Sequence, residues 1–115
     1  MMIDLEVQKS LRTCWATESV ADPATETITL PVGTIEWSVV NRSATLSVTI
    51  GLDATDLAAT EYMTLEPGEL RTFAGGGGSP TRTVSVKNAS GGAVVIDVSA
   101  TYLGPEASKR GITIA

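Results

Sequence analysis

The chain contains no histidine, so the commonest general base and the commonest zinc ligand are both missing. Neither a Ser-His-Asp nor a Cys-His nucleophile can be assembled from it. The single cysteine, Cys14, lies in LRTCWATE, where neighbouring Arg12 cannot accept a proton, and it reads as a partly buried structural thiol. Five carboxylates fall between Asp53 and Glu69 (Asp53, Asp56, Glu61, Glu66 and Glu69). A glycosidase needs two acids set across a cleft, one with a raised pKa, and a domain with few aromatics offers little room for a sugar. Their spacing is not that of a calcium loop either, so they read as solvated loop charge. The stretch FAGGGGSPTRTV holds four glycines, Gly75 to Gly78. A phosphate loop would follow them with lysine and a helix; here a strand pattern follows. Two readings stay open: a slack connection, or a segment ordered by a partner chain with Arg71 and Arg82 as flanking salt-bridge donors. No residue is assigned to catalysis, a cofactor or a metal, and the chain is expected not to be an enzyme.

The elements that would carry any site show period-two alternation. Val94, Ile96, Val98, Ala100 and Tyr102 alternate with Val95, Asp97, Ser99 and Thr101. Val84 and Val86 alternate with Thr83, Ser85 and Lys87, and Leu46, Val48 and Ile50 with Thr45, Ser47 and Thr49. Ile35, Trp37 and Val39 alternate with Glu36, Ser38 and Val40, and Ile28 and Leu30 repeat the pattern. Such alternation predicts half-buried strands in antiparallel sheets. Asn41–Ser43 and Asn88–Gly92 read as hairpin connections, and their shared strand, Asn-x-Ser, strand order reads as repeated turn chemistry or as an internal duplication. The same Asn-x-Ser triplets fit a glycosylation acceptor and are read as turns. Pro67-Gly68 suits the centre of a type II turn. GLDATDLAATE is the one candidate for a short helical turn, with Asp53 as its cap. The expected fold is all-β: an antiparallel β-sandwich, immunoglobulin-like or jelly-roll, of seven or eight short strands, with a small closed barrel as competitor. Residues 25–103 form its expected core, 1–24 an N-terminal segment or arm, and 104–115 a C-terminal tail.

At 115 residues, 43% hydrophobic and 18% charged, the chain is expected to be one globular domain. A net charge of −5 disfavours DNA, RNA and anionic membranes. The start MMIDLEVQKS lacks the basic and apolar runs of a secretory signal, no stretch approaches a membrane span, and a lone cysteine excludes an intrachain disulfide. Synthesis in a reducing cytoplasm is expected. Trp37 reads as core. Trp15 reads as an interface anchor, and Ile112 and Ile114 in GITIA alternate as a strand added to another chain would.

The run VVNRSATLSVTIG, then LEPGELRTF, then TVSVKNASGGAVVIDVSATYL resembles small immunoglobulin-like or jelly-roll sandwiches, over residues 25–103. Within that class a chain without signal, disulfide or histidine looks most like a tailed-bacteriophage virion protein. The resemblance implies a decoration, neck or tail accessory subunit located in the virion, contacting capsid, neck or tail subunits and its own copies, without cofactors. The rival expectation is a module that binds carbohydrate or a host surface, which would show exposed aromatic rings in a flat or grooved patch.

Overall fold

A computed structural model describes residues 9–51, 63–74, 83–105 and 111–115. They form nine strands: β1 (Lys9–Val20), β2 (Ala24–Thr29), β3 (Thr34–Asn41), β4 (Val48–Gly51), β5 (Met63–Leu65), β6 (Leu70–Ala74), β7 (Thr83–Asn88), β8 (Val94–Pro105) and β9 (Thr113–Ile114). One sheet has the order β1-β8-β3-β6, the other β5-β4-β7-β2-β9. Every pairing is antiparallel. The expected helical turn lies outside the described residues.

The strand order decides between the two expected sandwiches. β1 pairs with β8, β2 with β7, β3 with β6 and β4 with β5. The chain is thus one long hairpin, with its tip between β4 and β5, rolled until β3 meets β8 and β4 meets β7. That is a jelly roll, not the immunoglobulin order.

The expected inward residues fill the space between the sheets. Ile28, Leu30, Trp37, Val39, Val48, Ile50, Val84, Val86, Val94, Ile96, Val98, Ala100 and Tyr102 are all buried. Trp37 stacks on Phe73, centroids 4.5 Å apart. Ile35 departs from its expected side. The β3–β8 register slips between Thr34 and Glu36, and this bulge turns Ile35 out to solvent while Thr34 and Trp37 stay inside.

Asn41–Ser43 and Asn88–Gly92 are not hairpin loops. Each carries the chain from one sheet to the other, and turn residues announce a reversal without saying which sheet the next strand joins. Both asparagines are fully buried. Asn41 Nδ2 donates to the carbonyls of Leu46 (2.8 Å) and Leu65 (3.1 Å), and its Oδ1 accepts from Ser43 N. Asn88 Nδ2 donates to Val20 O (2.9 Å) and Gly92 O (2.8 Å), and its Oδ1 accepts from Ser90 N. The repeated sequence pattern is therefore one corner used twice, and neither amide is open to glycosylation. At Pro67-Gly68 the expected turn is present: Gly68 has φ of 75° and Glu69 N donates to Glu66 O.

The expected boundaries at 24 and 104 cut through the sandwich. β1 lies inside the supposed arm and pairs along its whole length with β8. Its inward positions include Arg12 and Glu18 while Leu11 and Trp15 face out, which inverts the pattern that marks a strand. In the supposed tail, β9 joins this chain's own sheet beside β2. Ile112 and Ile114 pack against this chain's own core, where the β2–β9 pairing holds Ile114 opposite Ile28.

Candidate functional site

The residues that could do work stand on the outer face of the four-stranded sheet. Register fixes them in rows. Leu11 lies opposite Leu103, and Thr13 opposite Thr101, with Glu36 next. Trp15 lies opposite Ser99, followed by Ser38 and Thr72. Thr17 lies opposite Asp97, followed by Val40 and Leu70. Six of the seven large hydrophobic side chains exposed among the described residues sit here: Leu11, Trp15, Ile35, Leu70, Val95 and Leu103. Trp15 is 73% exposed. It borders a depression of about 330 Å³ that Ser38, Val40, Leu70, Asp97 and Ser99 help to line.

Asp97 organises the floor. It accepts from Thr17 Oγ1 and from Arg42 Nε, both at 2.5 Å. These hydrogen bonds, with the nearby guanidinium charge, hold its carboxyl below the usual range. The patch is thus an exposed indole and aliphatic side chains around hydroxyls and one neutralised ion pair. It can bury apolar area and exchange hydrogen bonds. Its one hydroxyl beside a carboxylate is Thr17 on Asp97, a carboxylate already occupied by Arg42 and held weakly basic, and no group of three metal-ligating side chains occurs among the described residues.

The proposed interface residues are not brought together. Trp15 is on β1 and Arg71 on β6, opposite margins of one sheet. Arg71 pairs with Glu69 at 2.5 Å, so its charge is met within the chain, and Glu69 is lowered by that hydrogen bond and by the Glu66 amide. Ile112 and Ile114 belong to the other sheet's side, and Arg82 lies outside the described residues, as do Gly75–Gly78, Asp53, Asp56 and Glu61. Sequence reasoning missed Leu11, Leu70 and Leu103. The available signal was Val95 and Leu103 at the polar positions of the longest alternating run.

Two further polar atoms lie on the inward side near opposite ends of β1. Glu26 Oε1 and Arg12 Nε are shut off from solvent without a hydrogen bond. Burial, with a hydrogen bond and like charge from Glu18, pushes Glu26 up to about 6. Burial also raises the Cys14 thiol, in keeping with a structural role. A carboxyl raised above its unfolded value favours the fold while it holds its proton. That contribution is complete below the unfolded pKa of about 4.5 and is lost as pH rises through about 6. In dilute protein, the urea midpoint is therefore expected to fall across that window, and Glu26→Gln is expected to flatten the fall and raise the midpoint at pH 7. The gain should be below the ~2 kcal/mol that a shift of this size would carry unscreened. An unchanged pH profile in the glutamine variant would count against the pair.

No protein-family model matches the chain, and no curated protein matches it in sequence. Solved structures do match in fold. A de novo designed double-stranded β-helix aligns at 13% identity over 81% of this chain and 99% of its own, with a TM-score of 0.52. The polyketide cyclase RemF from Streptomyces resistomycificus aligns at 10% identity over 90% of this chain and 74% of its own, TM-score 0.50. A cupin domain of an XRE-family transcriptional regulator from Enterobacter cloacae aligns at 15% identity over 89% and 90%, TM-score 0.41. The chain has the jelly-roll, double-stranded β-helix fold. At these identities the likeness extends to fold alone.

Proposed function

We propose that the chain is a non-enzymatic structural subunit that works by protein–protein contact through the outer face of its four-stranded sheet. The assembly suggested by the sequence resemblance is a tailed-bacteriophage particle, with a decoration, neck or tail accessory role. The observation that carries the contact role is the concentration of exposed apolar side chains on one face, with Trp15 bare at its margin. Tryptophan is the residue most enriched among interface hot spots, and a rigid sheet presents it at little entropic cost.

The test is light scattering coupled to size exclusion over a range of concentrations, with and without candidate particle proteins. Association is expected, and Trp15→Ser should weaken it by roughly 30-fold or more without lowering the melting temperature. A chain that stays monomeric and binds no particle component overturns the reading. Saturable quenching of Trp15 fluorescence by a soluble glycan, without association, would favour a carbohydrate-binding module instead. Among the described residues only one ring is exposed; Trp37 and Tyr102 are buried and Phe73 is half-buried against Trp37.

A further inference from the structure

β1 is the outer strand of its sheet, twelve residues long, and among the described residues it pairs only with β8, without a register shift. Edge strands of this length are normally interrupted by a bulge or a proline, or kept short. Within β1 there is no proline. Inward-pointing charge is a further protective device, and β1 has Arg12 and Glu18 on its inward side. Inward charge repels a second edge when like meets like. Here the two charges are opposite in sign and lie three residues to either side of Trp15.

That symmetry has a geometric consequence. Arg12 and Glu18 are six residues apart on one strand, about 20 Å, so they cannot meet within one chain. A two-fold axis perpendicular to the sheet, passing through Trp15, places Arg12 of one copy directly opposite Glu18 of the other, and does so twice. The same axis sets Thr13 opposite Thr17, Cys14 opposite Ala16, and one Trp15 beside the other on the outer face. An axis at Cys14 would set Arg12 against Ala16, and an axis at Ala16 would set it against Val20. Registers centred between residues would oppose inward to outward side chains, which the pleat forbids. Opposed side chains in an antiparallel pair come within about 5 Å at Cβ, close enough for an ion pair.

The single chain leaves one enclosed polar atom without a partner at each end of this contact. Its described ion pairs are Arg42–Asp97 and Arg71–Glu69; Arg12 has none, and its Nε is enclosed without a partner. At the other end of β1, Glu18 shares a hydrogen bond with the Glu26 carboxyl, whose Oε1 is enclosed without a partner. One arginine delivered to that end would stand between two carboxylates. Buried polar atoms without partners are costly, and one symmetric contact meets those at both ends of the strand.

We propose that two copies of the chain associate edge to edge through β1, antiparallel about a two-fold axis at Trp15, with Arg12 of each copy seated against the Glu18 and Glu26 carboxyls of the other. The product is an isologous dimer with a continuous eight-stranded sheet, joined by strand addition, and it extends the Trp15-bearing face across both copies. The proposal rests on the reading of the chain as an assembly subunit and specifies its first contact.

Sedimentation equilibrium on charge-reversed chains tests it. Arg12→Glu and Glu18→Arg, each alone, should weaken dimerisation by roughly 30-fold or more, and the combined variant should recover it because each opposed pair again has opposite signs. Ala16→Cys gives an independent readout. Mild oxidation should link Cys14 of one copy to the new thiol of the other, giving a covalent dimer far faster than the parent chain does. A chain that associates, ignores both charge reversals and forms no such link overturns the β1 dimer and leaves the assembly reading standing. A chain monomeric at every concentration, with no link in Ala16→Cys, overturns this dimer; the assembly reading falls only if particle components also fail to bind.

Discussion

Asn88→Ala is expected to lower the unfolding free energy by about 3 kcal/mol, enough to move the melting temperature down by roughly 10–20 °C. The side chain is fully buried and its amide donates to Val20 O and Gly92 O. Those carbonyls belong to the end of β1 and the approach to β8, so one amide ties two strands at the point where the chain changes sheet. Alanine would take the amide donor from the enclosed Val20 carbonyl, at about 1–3 kcal/mol for such a group, would leave Gly92 O with only the Ser90 hydroxyl at 3.1 Å, and would release the Ser90 amide and hydroxyl from Oδ1. Asn88→Asp separates these effects. Aspartate keeps the acceptor but turns a donor pair into a charge facing carbonyls, so its loss should match or exceed that of alanine at neutral pH. It should shrink in acid, where the carboxyl regains one O–H donor. Thermal melts of both variants at two pH values are the measurement. A loss below about 0.5 kcal/mol in Asn88→Ala, the range of an unremarkable surface change, would show that the corner does not depend on this amide.

How much of this was legible in the sequence follows from where each strand puts its polar residues. β8, β7 and β3 could be found because their inward positions are apolar and their outward ones mostly polar. β1 could not be, since it places Arg12 and Glu18 inward beside a margin open to water and Leu11 and Trp15 outward. The bulge at Ile35 was invisible for a related reason: alternation assumes an unbroken pleat, and one inserted residue flips its neighbour. The asparagine corners were correctly marked as turns, yet sheet membership is settled by long-range pairing, such as Ile50 with Val86 and Val39 with Val98. The outer patch shows the same division. Trp15 was recognisable by type, but Asp97 and Arg42 reach each other from 55 positions apart and Thr17 meets Asp97 across 80. Register alone brings them together.

The two tryptophans should respond oppositely to replacement, and Trp37 carries the largest stability effect expected in the chain. It is 1% exposed and stacked on Phe73 at an interplanar angle of 25°. Trp37→Ala should cost about 3–5 kcal/mol from lost burial and the cavity left behind. Against a total of about 5–15 kcal/mol for a domain, that leaves a marginal or unfolded protein. Trp15→Ser, by contrast, removes a side chain that this chain does not bury, so its melt should stay close to that of the parent. Trp37→Phe refines the point. The indole Nε1 is enclosed without a hydrogen-bond partner, so phenylalanine would remove an unmet donor as well as volume. Its loss should be well under half that of alanine, with ring stacking on Phe73 retained. Urea unfolding followed by fluorescence reads all three variants, since Trp37 should emit from an apolar setting and Trp15 from water. If Trp37→Phe proved as damaging as Trp37→Ala, the indole nitrogen would have a partner in solution, and ring volume would not be what holds the two sheets together at this point.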